Sequence, residues 1–150
     1  MGKTVVAIQF LNADLAFIPK KKQALRQWIF DVAQLHRCNI DQIDYIFCSD
    51  AFLLNINRQF LNHDTFTDII TFDYGVSSGK YHKTIAGEIY ISIDRIKENA
   101  KKFNTEFTNE LHRVMIHGVL HLCGFKDKKS ADRQLMRSKE NEALGMLEKM

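Results

Sequence analysis

Proline occurs once in this chain, at position 19, and no Gly/Ser-rich or low-complexity run interrupts it. With no linker composition and no internal repeat, nothing marks a boundary between domains. The expectation is one domain over residues 1–150. Cysteine is also scarce. Cys38, Cys48 and Cys123 are odd in number, far apart and without a C-x-x-C pair, which excludes a disulfide framework and fits a reducing cytosol. No apolar run approaches the roughly 20 residues of a membrane span. Asn12 and Asp14 break the N-terminal apolar stretch early, and Val6 stands where a myristoylation signal needs Ser or Thr. Membrane partners are therefore not expected, and the compartment expected is the cytoplasm.

What is present is ordinary soluble composition, 45% hydrophobic and 26% charged, with a net charge of +3. The basic residues gather in Lys20-Lys21-Lys22, Lys101-Lys102 and around Lys126-Lys128-Lys129. Solvated surface is the plainer reading of the first two clusters, while the third flanks the motif described below.

Periodicity and cap residues predict the elements in turn. Val5 to Leu11 reads as a strand, and Gln23 to Leu35 as a helix with Leu25, Ile29, Val32, Ala33 and His36 near one face. Ile43 to Cys48 alternates as a strand, and Ser49-Asp50 caps a helix from Ala51 to about Phe60. Ile69 to Tyr74 is a strand, followed by a polar loop through Gly75 to Gly79, and Glu88 to Ile93 is another strand. Asp94 then caps a helix to about Phe103, and Thr105 or Thr108 starts one that runs through Leu122 and stops at Gly124. Ser130 caps a last helix from about Ala131 to Leu147. The expected fold class is α+β, a single-layer mixed four-stranded sheet packed with about five helices. The first two strands are joined by a helical crossover and can be parallel; the last two should be antiparallel.

The chemistry concentrates between residues 117 and 127, which read HGVLHLCGFKD. Histidines at i and i+4 lie one turn apart on one helical face, so His117 and His121 can converge on one cation. Gly124 follows where a left-handed residue ends a helix, and Asp127 can swing back as a third ligand. Three protein ligands with one position left open describe a catalytic zinc site, whereas structural zinc sites close with four. Metzincin proteases share the outline H-E-x-x-H-x-x-G-x-x-H, but Gly118 stands where they need a glutamate base, which argues against proteolysis.

The same segment resembles the signature H-G-x-L-H-L-x-G-Y-D-H of the YbeY-type endoribonucleases of bacterial ribosomal RNA maturation. Ile56-Asn57-Arg58-Gln59-Phe60 with Thr67 to Phe72 is similar to that family's L-N-x-x-[YF]-R and T-[DN]-V-L-S-F. Gly87 to Ser92 resembles its G-D-I-x-I-S strand, and Met136 to Glu142 its M-x-x-x-E helix. Three positions depart: Asp127 replaces the third histidine, Leu61 the arginine, and Glu88 an aspartate. The resemblance implies single-strand-preferring RNA hydrolysis at one zinc per chain, acting in ribosomal RNA maturation and ribosome quality control. The partners implied are ribosomal RNA and the ribosome or its small subunit. Arg58, Lys126 and Lys128 are the cations placed by motif or sequence to hold the phosphodiester. Phe125 and Tyr74 could stack on bases, although core packing explains either more simply. His112 falls off the metal face and is expected to pack or to lie at the surface, Cys123 reads as a small buried side chain, and a role near RNA is open for His63. Two other readings use the same residues: a ribosome-assembly factor whose metal is purely structural, and a metallohydrolase acting on a small molecule.

Overall fold

Alternation of buried and exposed side chains along the strands sets the architecture of the computed structural model, which describes residues 7–75, 77–78 and 83–150. In chain order the elements are β1 (Ile8–Asn12), α1 (Lys22–Leu35), β2 (Cys38–Cys48), α2 (Asp50–Phe60), β3 (Ile69–Asp73), β4 (Ser77–Ser78) and β5 (Lys83–Ser92). Three helices follow: α3 (Ile93–Lys102), α4 (Phe107–Leu122) and α5 (Ser130–Glu148).

The sheet order is β1-β2-β5-β3, with the two-residue β4 also paired to β5. β1 and β2 are parallel, as the helical crossover requires, and β2 and β5 are parallel too. β3 runs antiparallel to β5, so the sheet is mixed as expected. On one face Ile43, Tyr45 and Phe47 of β2 and Ile85, Ile89 and Ile91 of β5 pack under α1, α4 and α5 to form the main core. The other face carries a smaller cluster in which Leu53 and Ile56 of α2 cover Cys48 and Ile70. Two buried hydrogen bonds tie the helical layer down: Tyr45 donates its hydroxyl to the carbonyl of Met115 at 2.9 Å, and Trp28 Nε1 donates to that of Ala143 at 2.7 Å.

Two glycines mark where the layers close most tightly. A Cβ on Gly87 would lie 2.5 Å from the backbone oxygen of Phe72, so β5 can pair with β3 at that point only through glycine. A Cβ on Gly118 would lie 2.9 Å from Ile89 Cδ1 and 3.2 Å from Ile69 Cδ1. The glycine between the two histidines therefore lets α4 lie against the sheet, which is a packing reason for the missing protease glutamate.

Several boundaries differ from the sequence reading, each for a local reason. β2 begins at Cys38, not Ile43, because Cys38 and Ile40 already face the core in pairing with Lys83 to Ala86, and a bulge between Ile40 and Gln42 shifts the phase before Ile43. The same pairing starts β5 at Lys83, not Glu88. β4 lies within the segment expected to be loop, and Val5 and Val6 of the expected first strand lie outside the described residues. Ser49 caps α2, its hydroxyl accepting from Phe52 N–H at 3.1 Å. Ser92, the last residue of β5, caps α3 in place of Asp94, whose carboxylate accepts from the N–H of Asp50. The caps of α4 and α5 are Glu106 and Lys129, neither with a side-chain cap bond. Among the described residues no helix is long and apolar enough to cross a membrane.

Candidate metal centre

The stop at the end of α4 builds the site. Gly124 adopts φ +111°, which an L side chain disfavours, and the chain closes through Phe125 N–H to Leu120 O and Gly124 N–H to His121 O, both 3.0 Å. That is the double bond pattern of a glycine-terminated helix. It turns the carbonyl of Phe125 back to accept from His121 Nδ1 at 2.8 Å. It also returns Asp127 to the helix, where Oδ2 lies 3.2 Å from His117 Nε2.

His117 is fixed from its other side by a residue distant in sequence. Its Nδ1 donates to Glu140 Oε2 at 2.7 Å, and Glu140 Oε1 accepts from Arg113 at 3.0 Å. The Glu140 side chain is 6% exposed. Burial opposes its charge, but the bonds from His117 and Arg113 outweigh this and hold its pKa below the usual carboxylate range. Burial likewise works against a charged His117. The Glu140 bond, with the negative charges of Glu140, Asp127 and Asp68, overcomes it and raises the imidazole pKa. Asp68 itself is raised, chiefly by burial.

Both histidines thus spend Nδ1–H on an acceptor, Glu140 in one case and a backbone carbonyl in the other. In the neutral ring this leaves Nε2 as the lone-pair nitrogen, which is the arrangement usual for metal-ligating histidine. The rings lie 5.8 Å apart by centroid. His117, His121 and Asp127 line one cleft together with Leu61, His63 and Phe66. Two imidazoles and a carboxylate suit a divalent ion of the zinc class by donor chemistry. As the side chains stand, no three His, Cys, Asp or Glu among the described residues are gathered to hold a metal. Asp127 is turned onto His117 Nε2, and the 3.2 Å between those two atoms is a separation that two ligands of one tetrahedral ion can keep.

Among the described residues, no side chain of the remaining sequence candidates bonds to the three donors. Arg58, in the last turn of α2, is paired with Asp64, both exposed. Lys126 and Lys128 flank Asp127 and are exposed. Glu88 accepts from Tyr74 Oη at 2.7 Å, so Tyr74 is tied to the sheet although it is exposed. Phe125 packs edge-on against His36 with centroids 4.9 Å apart, and His112 packs against Trp28 at 5.9 Å. Sequence reasoning gave no role to Glu140, Asp68 or Arg113. The glutamate of the M-x-x-x-E segment was a usable signal for the first, since it is Glu140.

A protein-family model, Endoribonuclease YbeY, matches residues 9–148. The chain belongs to the YbeY family. YbeY relatives include the Endoribonuclease YbeY of Flavobacterium johnsoniae, 47% identical over 90% of this chain and 94% of the relative. That of Parabacteroides distasonis is 44% identical over 95% and 96%. A solution structure of a Thermotoga maritima protein superposes with a TM-score of 0.60 at 26% identity, covering 95% of this chain and 92% of the other. The HGVLHLCGFKD segment and the Glu140 helix both lie inside the stretch matched by the YbeY family model.

Proposed function

We propose that this YbeY chain is a zinc-dependent endoribonuclease, one domain over residues 1–150, that cuts single-stranded RNA in ribosomal RNA maturation and ribosome quality control. The cytoplasm is its place of action, and the ribosome or its small subunit presents the substrate. The observation that carries the reading is the paired commitment of His117 and His121 through Nδ1, with Asp127 returned to them by the Gly124 turn. His117 Nε2, His121 Nε2 and the Asp127 carboxylate would hold the ion, one per chain. When bound, zinc supplies Lewis-acid chemistry, making hydroxide available near neutral pH and offsetting charge on the phosphoryl oxygens.

The protein's own part is orientation and charge. Glu140 and the carbonyl of Phe125 keep both rings in the tautomer that offers Nε2. Lys126 and Lys128, on either side of Asp127, meet phosphates entering the cleft. Arg58 joins them after leaving Asp64, a release that costs little because exposed pairs are worth about 0–1 kcal/mol.

The test is elemental analysis of wild type and His121→Ala, each assayed on single-stranded ribosomal RNA fragments. His121 is exposed, so the variant is expected to fold. The expected result is one zinc per wild-type chain, lost in the variant together with cleavage. Stoichiometric zinc without cleavage by wild type would favour a structural metal, and no stoichiometric metal would remove the site.

A further inference from the structure

Beside the metal-ligand candidates lies a cavity of about 350 Å³ between α3, α4 and α5, and His117 and Asp127 form one of its walls. Phe103, Arg133 and Arg137 form another part of the lining. Nothing in the proposed chemistry at the histidines uses these three residues. We propose that this cavity is a nucleotide subsite, holding the RNA unit next to the scissile bond with its phosphate on Arg133 and Arg137 and its base on Phe103. The inference rests on the RNA reading above and adds to it a place for the strand.

The arginines are available for this. Glu140 already receives Arg113 at 3.0 Å and His117 at 2.7 Å, and Arg113 gives another nitrogen to Asn141 at 2.9 Å. Arg137 makes only a long ion pair with Glu140 Oε1, the oxygen Arg113 holds, at 3.9 Å and outside hydrogen-bond range, with its side chain 63% exposed. Arg133 donates to the carbonyl of Lys128 at 2.6 Å, a neutral acceptor, and makes no ion pair among the described residues. Four residues apart on α5, the two guanidiniums share one helical face. A phosphodiester is the ligand that two adjacent forked donors suit best.

Phe103 supplies the second half. It sits at the C-terminal end of α3, 59% exposed, with Lys102 Nζ 5.7 Å from the ring. An exposed ring beside cations is the pairing that single-stranded nucleic acids use, bases stacking on the aromatic while the backbone meets positive charge. Asp68, Glu110 and Asn99 line the same cavity and offer acceptors to ribose hydroxyls and base amino groups. The carboxylates of Asp68 and Glu110 oppose a second phosphate there, whereas Glu140 on α5 is already engaged by Arg113 and His117, which leaves the anion to Arg133 and Arg137. The volume lies at the lower end of ordinary small-ligand pockets, enough for one nucleotide and too small for a duplex.

The test measures binding apart from cleavage. A short fluorescent single-stranded RNA, kept from cleavage by a chelator that holds the metal away, is titrated by anisotropy against wild type, Arg133→Ala/Arg137→Ala, Phe103→Ala and Phe103→Leu. An RNA set carrying one abasic nucleotide or one neutral methylphosphonate linkage at each position is titrated in parallel. Expected are a Kd about tenfold weaker for each of the first two variants and, for the double arginine variant, a salt slope shallower by about 0.7 for each phosphate no longer neutralised. One abasic position should weaken wild type but add nothing further in Phe103→Ala or Phe103→Leu. One methylphosphonate position should behave likewise for the double arginine variant. Unchanged affinity, or substrate and protein changes that simply add at every position, would overturn the subsite. Failure of wild type to cleave natural RNA while these binding couplings hold would instead count against the nuclease reading alone.

Discussion

Replacing Glu140 by glutamine removes one charge and almost no volume from the support of His117, so it isolates what that charge does. The carboxylate is nearly buried and accepts two charge-assisted bonds, 2.7 Å from His117 Nδ1 and 3.0 Å from Arg113. Glutamine keeps one acceptor oxygen for one of these donors and turns an amide N–H towards the other. A hydrogen bond to a charged group is worth about 1.5–3 kcal/mol, and stripping one partner from a buried pair costs about 3–5 kcal/mol. A loss of about 2–3 kcal/mol follows, tolerable for a domain with about 5–15 kcal/mol in hand.

The pH dependence gives that loss a signature in metal-free protein. His117 is raised in the folded state, so its contribution is complete below the unfolded imidazole value, about 6.5, and fades as pH rises through the folded one. Glu140 is lowered, so its contribution is complete above the unfolded carboxylate value, about 4.5, and fades as pH falls through the folded one. The wild type should therefore exceed Glu140→Gln most between about pH 4.5 and 6.5, measured as urea midpoints. In the variant burial is less opposed, and the His117 pKa, read by NMR titration, should fall. Zinc affinity should weaken about 10–100-fold, as with other partners of metal-ligating histidines. An unmoved His117 pKa together with a stability change under about 0.5 kcal/mol would refute the reasoning, because neither donor would then depend on the charge.

Three further substitutions probe the scaffold. Gly87→Ala should destabilise by about 3 kcal/mol in urea melts, since its Cβ meets a backbone oxygen that cannot yield without parting β3 from β5. Gly124→Ala, at φ +111°, should cost more than about 1 kcal/mol and also weaken zinc binding by displacing Asp127; unchanged zinc affinity would separate the turn from the site. Trp28→Phe loses the 2.7 Å bond to Ala143 O and should cost about 1–3 kcal/mol while zinc stoichiometry stays at wild-type level.

The histidine pair and its glycine stop were legible because they are local: spacing four on a helix and a left-handed residue at its end need no tertiary information. The α+β class and mixed sheet followed from the order of elements and crossover rules. The insertion of β5 between β2 and β3 did not, nor did the first half of β2, because a bulge between Ile40 and Gln42 shifts the side-chain alternation out of phase with the Ile43 to Cys48 run. Glu140 was visible as a residue but not as a partner. Only the docking of α5 on α4, across 23 positions of sequence, brings it to His117. Arg133, Arg137 and Phe103 went unremarked for the same reason, being neighbours only once three helices have met.

That dependence on α5 has a temporal side. Ribosomes make the chain in order, so His117, His121 and Asp127 are synthesised before Glu140 and before the rest of the helix that carries it. A nascent or truncated chain ending between Asp127 and Glu140 carries the whole HGVLHLCGFKD segment with His117 unsupported. Loss of α5 would thus leave the motif complete in sequence while taking away the carboxylate that fixes the His117 ring, so the motif alone does not make the site.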